Sequence, residues 1–357
     1  MHSLTSSVAT SGVEMHYLIT GHTGFKGAWL ALMLTQQGHT VSGLALEAVP
    51  GSLYERTRLS ELLLLDLHVD VRDQEGTRQA ITAAEPDVVL HLAAQALVRQ
   101  SYRDPRYTYE TNMLGTLNVL QAVEQTPTVK AQVVVTTDKV YRNVHQSNGY
   151  CESDPLGGVD PYSASKAAAD LITQSWMKTA GSHVPTAIAR AGNVIGGGDV
   201  CADRLLVDVV AALSAAQPVR IRNPQSVRPW QHVLDCLHGY LRLTDALLRG
   251  EASGEAFNFG PGPESLVRVG AVATAVASLW GADSSVEIQS RPQVHEAALL
   301  ALNSDKAALE LQWRSSLPFH EALTWTIDWE KQVRGGANAR TVSLAQISEF
   351  MRLSDSQ

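Results

Sequence analysis

Two short stretches hold the residue types that proton and hydride chemistry needs: Thr137-Asp138-Lys139, and Tyr162 with Lys166 in Tyr-Ser-Ala-Ser-Lys. The second stretch reads as helix, so Tyr162 and Lys166, four residues apart, project from one face. A free tyrosine has a pKa near ~10 and is a poor base at neutral pH. A neighbouring ammonium, or the cationic ring of a bound cofactor, favours the phenolate. Lowering that pKa by ~3 corresponds to roughly 4 kcal/mol. Tyr-x-x-x-Lys occurs by chance in many helices. What lifts it here is the hydroxyl, carboxyl and amine of Thr137, Asp138 and Lys139, after a strand expected to end beside that helix.

Three upstream stretches could receive a cofactor. Gly21, Gly24 and Gly27, with Thr23, Phe25 and Lys26 between them, directly follow an apolar run and open an amphipathic one. Glycines let a backbone approach a pyrophosphate, and the helix start supplies free N–H donors and a positive dipole end. The spacing is Gly-x-x-Gly-x-x-Gly, not the commoner Gly-x-Gly-x-x-Gly. A ribose-binding carboxylate is expected about 20 residues on. Ala45 stands there, with Glu47 two residues late. The sequence thus favours NAD weakly and leaves NADP open. Asp70 and Val71, expected at the end of a third strand, could receive an adenine; Asp73 reads equally well as the cap of the next helix. Leu92, Ala93, Ala94 and Gln95 follow a fourth strand, where small residues let the chain pass close to a flat ligand. His91 before them reads as an ordinary core histidine.

The elements that must position these residues alternate. Apolar runs at 16–20, 40–46, 67–71, 88–91, 131–136 and 186–190 read as strands. Helical patterns lie at 26–37, 74–84, 107–124 and 160–179. Continuous apolar strands alternating with helices predict a parallel sheet covered on both faces. The expected fold is therefore α/β: a Rossmann-like doubly wound sheet with a smaller C-terminal α/β substrate lobe. Residues 1–14 read as a loose tail, 15–192 as the dinucleotide-binding domain, and 193–357 mainly as the substrate lobe, some segments returning to the first domain. Helices are expected at 205–216 and 233–248.

Composition narrows the classes. The 357 residues are 45% hydrophobic and 18% charged, with a net charge of −8. That is ample chain for a core and too apolar for disorder. No apolar run reaches the ~18 residues of a membrane span, and the acidic balance argues against nucleic acid. Cys151, Cys201 and Cys236 stand far apart, so neither a metal site nor a disulfide framework is expected. A cytoplasmic setting follows by default. An anionic ligand would need local positive charge.

The order Thr-Gly-x-Thr-Gly-Phe-x-Gly, Asp-x-Arg-Asp, Leu-Ala-Ala-Gln and Tyr-x-x-x-Lys resembles the extended short-chain dehydrogenase/reductase family. More narrowly it resembles the nucleotide-sugar 4,6-dehydratases, and among them the branch that acts on CDP-glucose. The stretches GHTGFKGAWL, HLAAQALVRQSYRDP, TTDKVYRN, DPYSASKAAADL, RAGNVIGGGDVCADRL and SVRPWQHVLDCLHGY carry the likeness. The resemblance implies that Tyr162 takes the C4 hydroxyl proton while C4 gives hydride to NAD, and that Lys166 holds the cofactor ribose. It implies Thr137 on the same hydroxyl, Lys139 as the C5 base and Asp138 as the acid for the departing C6 hydroxyl. Asp138 must then be protonated and Lys139 neutral, and burial is expected to push each that way. Arg228 resembles the family's diphosphate ligand, with Arg204 and Asn193 on the same side. Ser101, Tyr102 and Arg99 could line the sugar pocket; Arg291 is a weaker candidate. A nucleotide-diphosphate hexose as substrate and a homodimer through 107–124 and 160–179 are also implied. The alternatives are a nucleotide-sugar 4-epimerase or ketoreductase, which needs no acid–base pair beside Thr137, and a non-catalytic dinucleotide-binding sensor.

Overall fold

The computed structural model describes residues 13–146, 148–179, 182–221, 223–281, 286–288 and 300–354. All but the last two residues of the expected tail, and Arg291, lie outside them. The first half runs β1 (His16–Thr20), α1 (Phe25–Gln36), β2 (Thr40–Ala45), α2 (Leu53–Thr57), β3 (Asp66–His68), α3 (Gln74–Ala84), β4 (Val88–His91) and α4 (Val98–Arg103). Next come α5 (Pro105–Tyr109), α6 (Gly115–Glu124), β5 (Ala131–Val135), α7 (Pro161–Met177) and β6 (Thr186–Ala191). One parallel sheet forms in the order β3-β2-β1-β4-β5-β6, extended by a seventh strand from the second half. The order reverses between β1 and β4, where an open α/β sheet leaves a crevice for a ligand at its carboxyl edge.

Local chemistry explains the element starts. Asp160 caps α7 by accepting from the Ser163 N–H (2.9 Å), with Pro161 in the first turn. Asp73 does the same for α3 through the Gly76 N–H (3.0 Å). The helix expected at 107–124 begins earlier, at Pro105 behind the Asp104 cap, and a π turn over Glu110–Leu114 separates α5 from α6. The third strand is also shorter than expected. β2 offers partners only from Gly43 to Ala45, so β3 stops at His68 and Asp70 lies two residues beyond it.

The second half supplies β7 (Val194–Ile195), α8 (Leu205–Ser214), β8 (Val219–Ile221), β9 (Val227–Pro229), β10 (Gln231–His232), α9 (Val233–Leu248), β11 (Ala256–Phe259), β12 (Leu266–Arg268), α10 (Val269–Trp280), β13 (Val286–Ile288), α11 (Asp305–Glu310), α12 (Phe319–Arg334) and α13 (Ala339–Ser354). β11 is the seventh strand, parallel to β6. β7 with β10, β9 with β12, and β8 with β13 form small two-stranded sheets. Trp29 and Leu30 of α1 share a core with Leu234 and Leu237 of α9, while Ile81 of α3 and Val119 of α6 belong to a separate cluster with Leu18, Leu44 and Val89. Among the described residues no helix is long and apolar enough to cross a membrane.

Candidate active site

Gly21 opens the crevice with φ +81°, its N–H donating to the Leu44 carbonyl (2.8 Å). A Cβ there would stand 2.8 Å from the Ala93 nitrogen, and one at Gly27 would stand 2.2 Å from the Gly21 carbonyl oxygen. Only glycine allows this loop to lie so close to the chain after β4. α1 starts without a side-chain cap, so its first-turn amides, at Phe25, Lys26 and Gly27, remain a site for an anion. Thr23 donates to the Leu46 carbonyl (3.0 Å). Beneath, His91 is buried between Thr20 (2.7 Å) and Thr116 (3.0 Å), and burial pushes it down to about 3. It is a neutral strut, and Thr20 in turn accepts from the Ala93 N–H (3.1 Å).

The neighbouring candidates are committed to the protein in different degrees. The Gln95 amide donates to Thr108 (2.9 Å) and accepts from the Leu97 N–H (2.6 Å), bracing the loop that contains Leu92, Ala93 and Ala94. Asp70 accepts from Arg72 at 2.6 Å, and the buried Val71 carbonyl accepts from Asn118 (2.9 Å). Glu47 is exposed and faces His68 (3.4 Å). A pyrophosphate at free helix amides and a flat ring against small residues both fit this cradle.

At the next strand end, Thr137 caps a short 3-10 turn over Asp138–Val140. Asp138, 2% exposed, accepts through one oxygen from the Thr137 hydroxyl (2.9 Å) and the Lys139 ammonium (3.2 Å). Lys139 also donates to Asn193 (3.3 Å). Tyr162, on the first turn of α7, lies within reach of Thr137, Lys139 and Arg204. Burial raises the Tyr162 pKa, while the Lys139 charge, the Thr137 hydroxyl and Arg204 pull it back.

Two expectations are corrected here. Lys166 donates to the Val135 carbonyl (2.8 Å), and the cations acting most strongly on Tyr162 are Lys139 and Arg204. Lys139 is also not driven neutral. Burial lowers its pKa, but Asp138 and Tyr162 together outweigh that and hold it above the ordinary value.

Arg204 stands just before α8 without capping it and pairs with Asp199 (2.8 Å), within charge reach of Tyr162. Arg228 lies on β9, donates to the Val227 carbonyl (2.9 Å), and acts on Lys139. Both cations therefore converge on the cluster. Arg99 reaches across to Asp203 (2.5 Å), and Tyr102 is exposed. Ser101 is fully buried, and its hydroxyl donates to the Val98 carbonyl (2.6 Å) of its own helix. One residue escaped the sequence reading. Asn112, buried in the π turn, accepts from the Gln95 N–H (2.8 Å) and donates to the Gln95 carbonyl and to Ser165 of α7 (2.9 Å). The available signal was weak: one asparagine among several polar residues of the helical run at 107–124.

A crevice of this kind at the edge of a doubly wound sheet is how the extended short-chain dehydrogenases and reductases are built, and this chain is one of that class. Known proteins narrow it further. A family model described as GDP-mannose 4,6 dehydratase matches residues 18–326, and the chain belongs to that family. It is 41% identical to CDP-glucose 4,6-dehydratase of Salmonella typhimurium strain LT2, over 93% of this chain and 95% of that one. It is 27% identical to a solved structure of dTDP-glucose 4,6-dehydratase from Streptomyces venezuelae with NAD bound, at a TM-score of 0.77 over 90% of this chain and 98% of that one. UDP-glucose 4-epimerase of Thermotoga maritima, 21% identical at a TM-score of 0.80 over 90% of this chain and all of that one, shares the fold.

Proposed function

We propose that the chain is an NAD-dependent nucleotide-sugar 4,6-dehydratase, a hydro-lyase converting CDP-glucose to CDP-4-keto-6-deoxyglucose and water. The observation that carries this reading is the Asp138–Lys139 pair, 3.2 Å apart and next to Thr137. A 4-epimerase or ketoreductase has no use for a second acid and base there. NAD in the cradle would accept hydride from C4 and return it to C6. Tyr162 takes the C4 hydroxyl proton, with Thr137 bonded to the same oxygen and Lys166 on the cofactor ribose. The C4 ketone acidifies C5. Lys139 removes the C5 proton and Asp138 gives one to the departing C6 hydroxyl, so one water leaves.

The proton inventory of the pair closes. Lys139 as ammonium beside Asp138 becomes a neutral amine beside a carboxylic acid by one transfer along their hydrogen bond. In the free protein Asp138 and Tyr162 hold Lys139 charged, so this transfer belongs to the sugar-bound site. Arg228 and Arg204 supply the positive charge for the sugar nucleotide's diphosphate, with Asn193 beside them. The reading extends to a homodimer through α5–α6 and α7, on which Leu114 and Leu171 are exposed. It also places the enzyme in the cytoplasm, consistent with three free cysteines, supplying a 4-keto-6-deoxy intermediate to deoxysugar synthesis.

Incubation with NAD and each of CDP-, dTDP-, GDP- and UDP-glucose tests the proposal by mass spectrometry and NMR. Loss of one water, fastest with the CDP sugar, is expected. A C4 epimer of unchanged mass would replace this reading with the epimerase, and no turnover of any sugar would leave only dinucleotide binding.

A further inference from the structure

Lys26 leaves the phosphate loop it belongs to. It is the second residue of α1, yet its ammonium donates to the Tyr240 hydroxyl (3.2 Å) and lies 3.5 Å from Cys236 Sγ, both on α9. Its charge stands 5.6 Å from the centre of the Tyr240 ring. Cys236 and Tyr240 are fully buried and bonded to each other (3.1 Å). These contacts hold the Lys26 ammonium against α9. α9 packs against β5 and β6, the strands on the far side of the switch point from β2 and β3. In a doubly wound sheet that side receives the second mononucleotide half of a dinucleotide. Lys166 reaches the end of β5 from the opposite face, through the Val135 carbonyl. The two ammonium groups act on each other, since Lys26 is among the charges that lower Lys166. Two cations thus flank one end of the cradle, where one would suffice to hold a ribose.

We propose that Lys26 is a redox-tuning residue, whose tethered charge disfavours the cationic oxidised nicotinamide ring and favours the neutral reduced one. This rests on the dinucleotide reading of the cradle and goes beyond it. A like charge in a partly dry site weighs against the oxidised form. The consequence would be that hydride, once taken from C4, stays on the protein until C6 can receive it.

The test is the pair of dissociation constants for NAD+ and NADH, measured by calorimetry on wild type, K26M and K26R. The ratio Kd(NAD+)/Kd(NADH) is expected to fall about tenfold in K26M, which is about 30 mV for a two-electron couple, and to stay near wild type in K26R. Equal weakening of both nucleotides in K26M would make Lys26 a phosphate anchor and overturn the proposal, as would an unmoved ratio. If K26M does not fold, K26Q carries the same test, because its amide keeps a donor for Tyr240 without the charge. Wild-type turnover of CDP-glucose with an unmoved ratio refutes this inference alone. Failure of wild type to bind either nucleotide refutes the dinucleotide reading together with it.

Discussion

Two ion pairs adjoin the segment that follows β5, one through Thr136 and one at Asp138, and are built in opposite ways. Arg190 of β6 and Asp170 of α7 are 1% and 0% exposed and meet through two parallel bonds of 2.8 Å. The Asp170 carboxylate also accepts from Thr136 (3.0 Å) and Gln174 (2.8 Å), and Arg190 also donates to Tyr141 (2.9 Å). Asp138 and Lys139 share a single bond of 3.2 Å, and the lysine remains 29% exposed. The first pair has its donors and acceptors committed and clamps α7, the helix of Tyr162 and Lys166, to the sheet. The second keeps a proton between two groups and an open side toward a ligand. Burying a charge makes it functional only where its partners leave it a choice.

The largest expected effect breaks the clamp. Asp170→Asn leaves Arg190 buried without an anion, which costs about 3–5 kcal/mol, a large share of the 5–15 kcal/mol that holds a typical domain together. Urea unfolding measures it, and a loss near 1 kcal/mol or less would mean that the two pairs do not differ as described. Next in size is Asp138→Asn. It should lower kcat by about 100- to 10,000-fold, the usual worth of a positioned acid, while urea unfolding stays within about 1 kcal/mol of wild type. Full dehydratase turnover in Asp138→Asn, and likewise in Lys139→Ala, would remove the pair from the chemistry.

The sheet was legible because its strands are continuous apolar runs: the predicted limits of β1 and β4 match the observed ones residue for residue. β3 was overextended because Val69 and Val71 look like strand, while the partner β2 runs out at Ala45. The site's membership is harder to read than its motifs. Tyr-x-x-x-Lys places two side chains on one helix face, yet where a long side chain ends depends on acceptors from distant segments, and Val135 captured Lys166. The state of Lys139 was misjudged because burial can be guessed from one stretch, whereas the opposing charge comes partly from Tyr162, 23 positions away. The pairings of Arg190 with Asp170 and of Asn112 with Gln95 are hidden from the sequence for the same reason. Each partner alone looks like an ordinary polar residue, and the pairing exists only once β4, β6 and the helices are assembled.

The smallest expected effect concerns the other buried cation of α7's neighbourhood, and it separates the two regions by pH. Arg190 is held charged by Asp170, well above the ordinary guanidinium value, so it does not titrate. Lys166 has a carbonyl for its hydrogen bond, and burial pushes it from 10.5 down to about 8, with Asp170 opposing and Lys26 assisting. Below pH 8 the lysine is protonated in both folded and unfolded chains, and the folded state carries the full cost of burying that charge. Between pH 8 and 10.5 the unfolded chain binds more protons than the folded one, so wild-type stability rises with pH through this window. Above it the cost is gone. Lys166→Met, which never carries the charge, should therefore be more stable than wild type at pH 7 by thermal unfolding without cofactor. That advantage should shrink by roughly 3 kcal/mol as pH rises from 8 to 10.5. An advantage that stayed constant across the window would mean Lys166 is neutral, or solvated, at pH 7. The site would then contain no buried cation that function maintains against stability, and its contrast with the Arg190 clamp would rest on Lys139 alone.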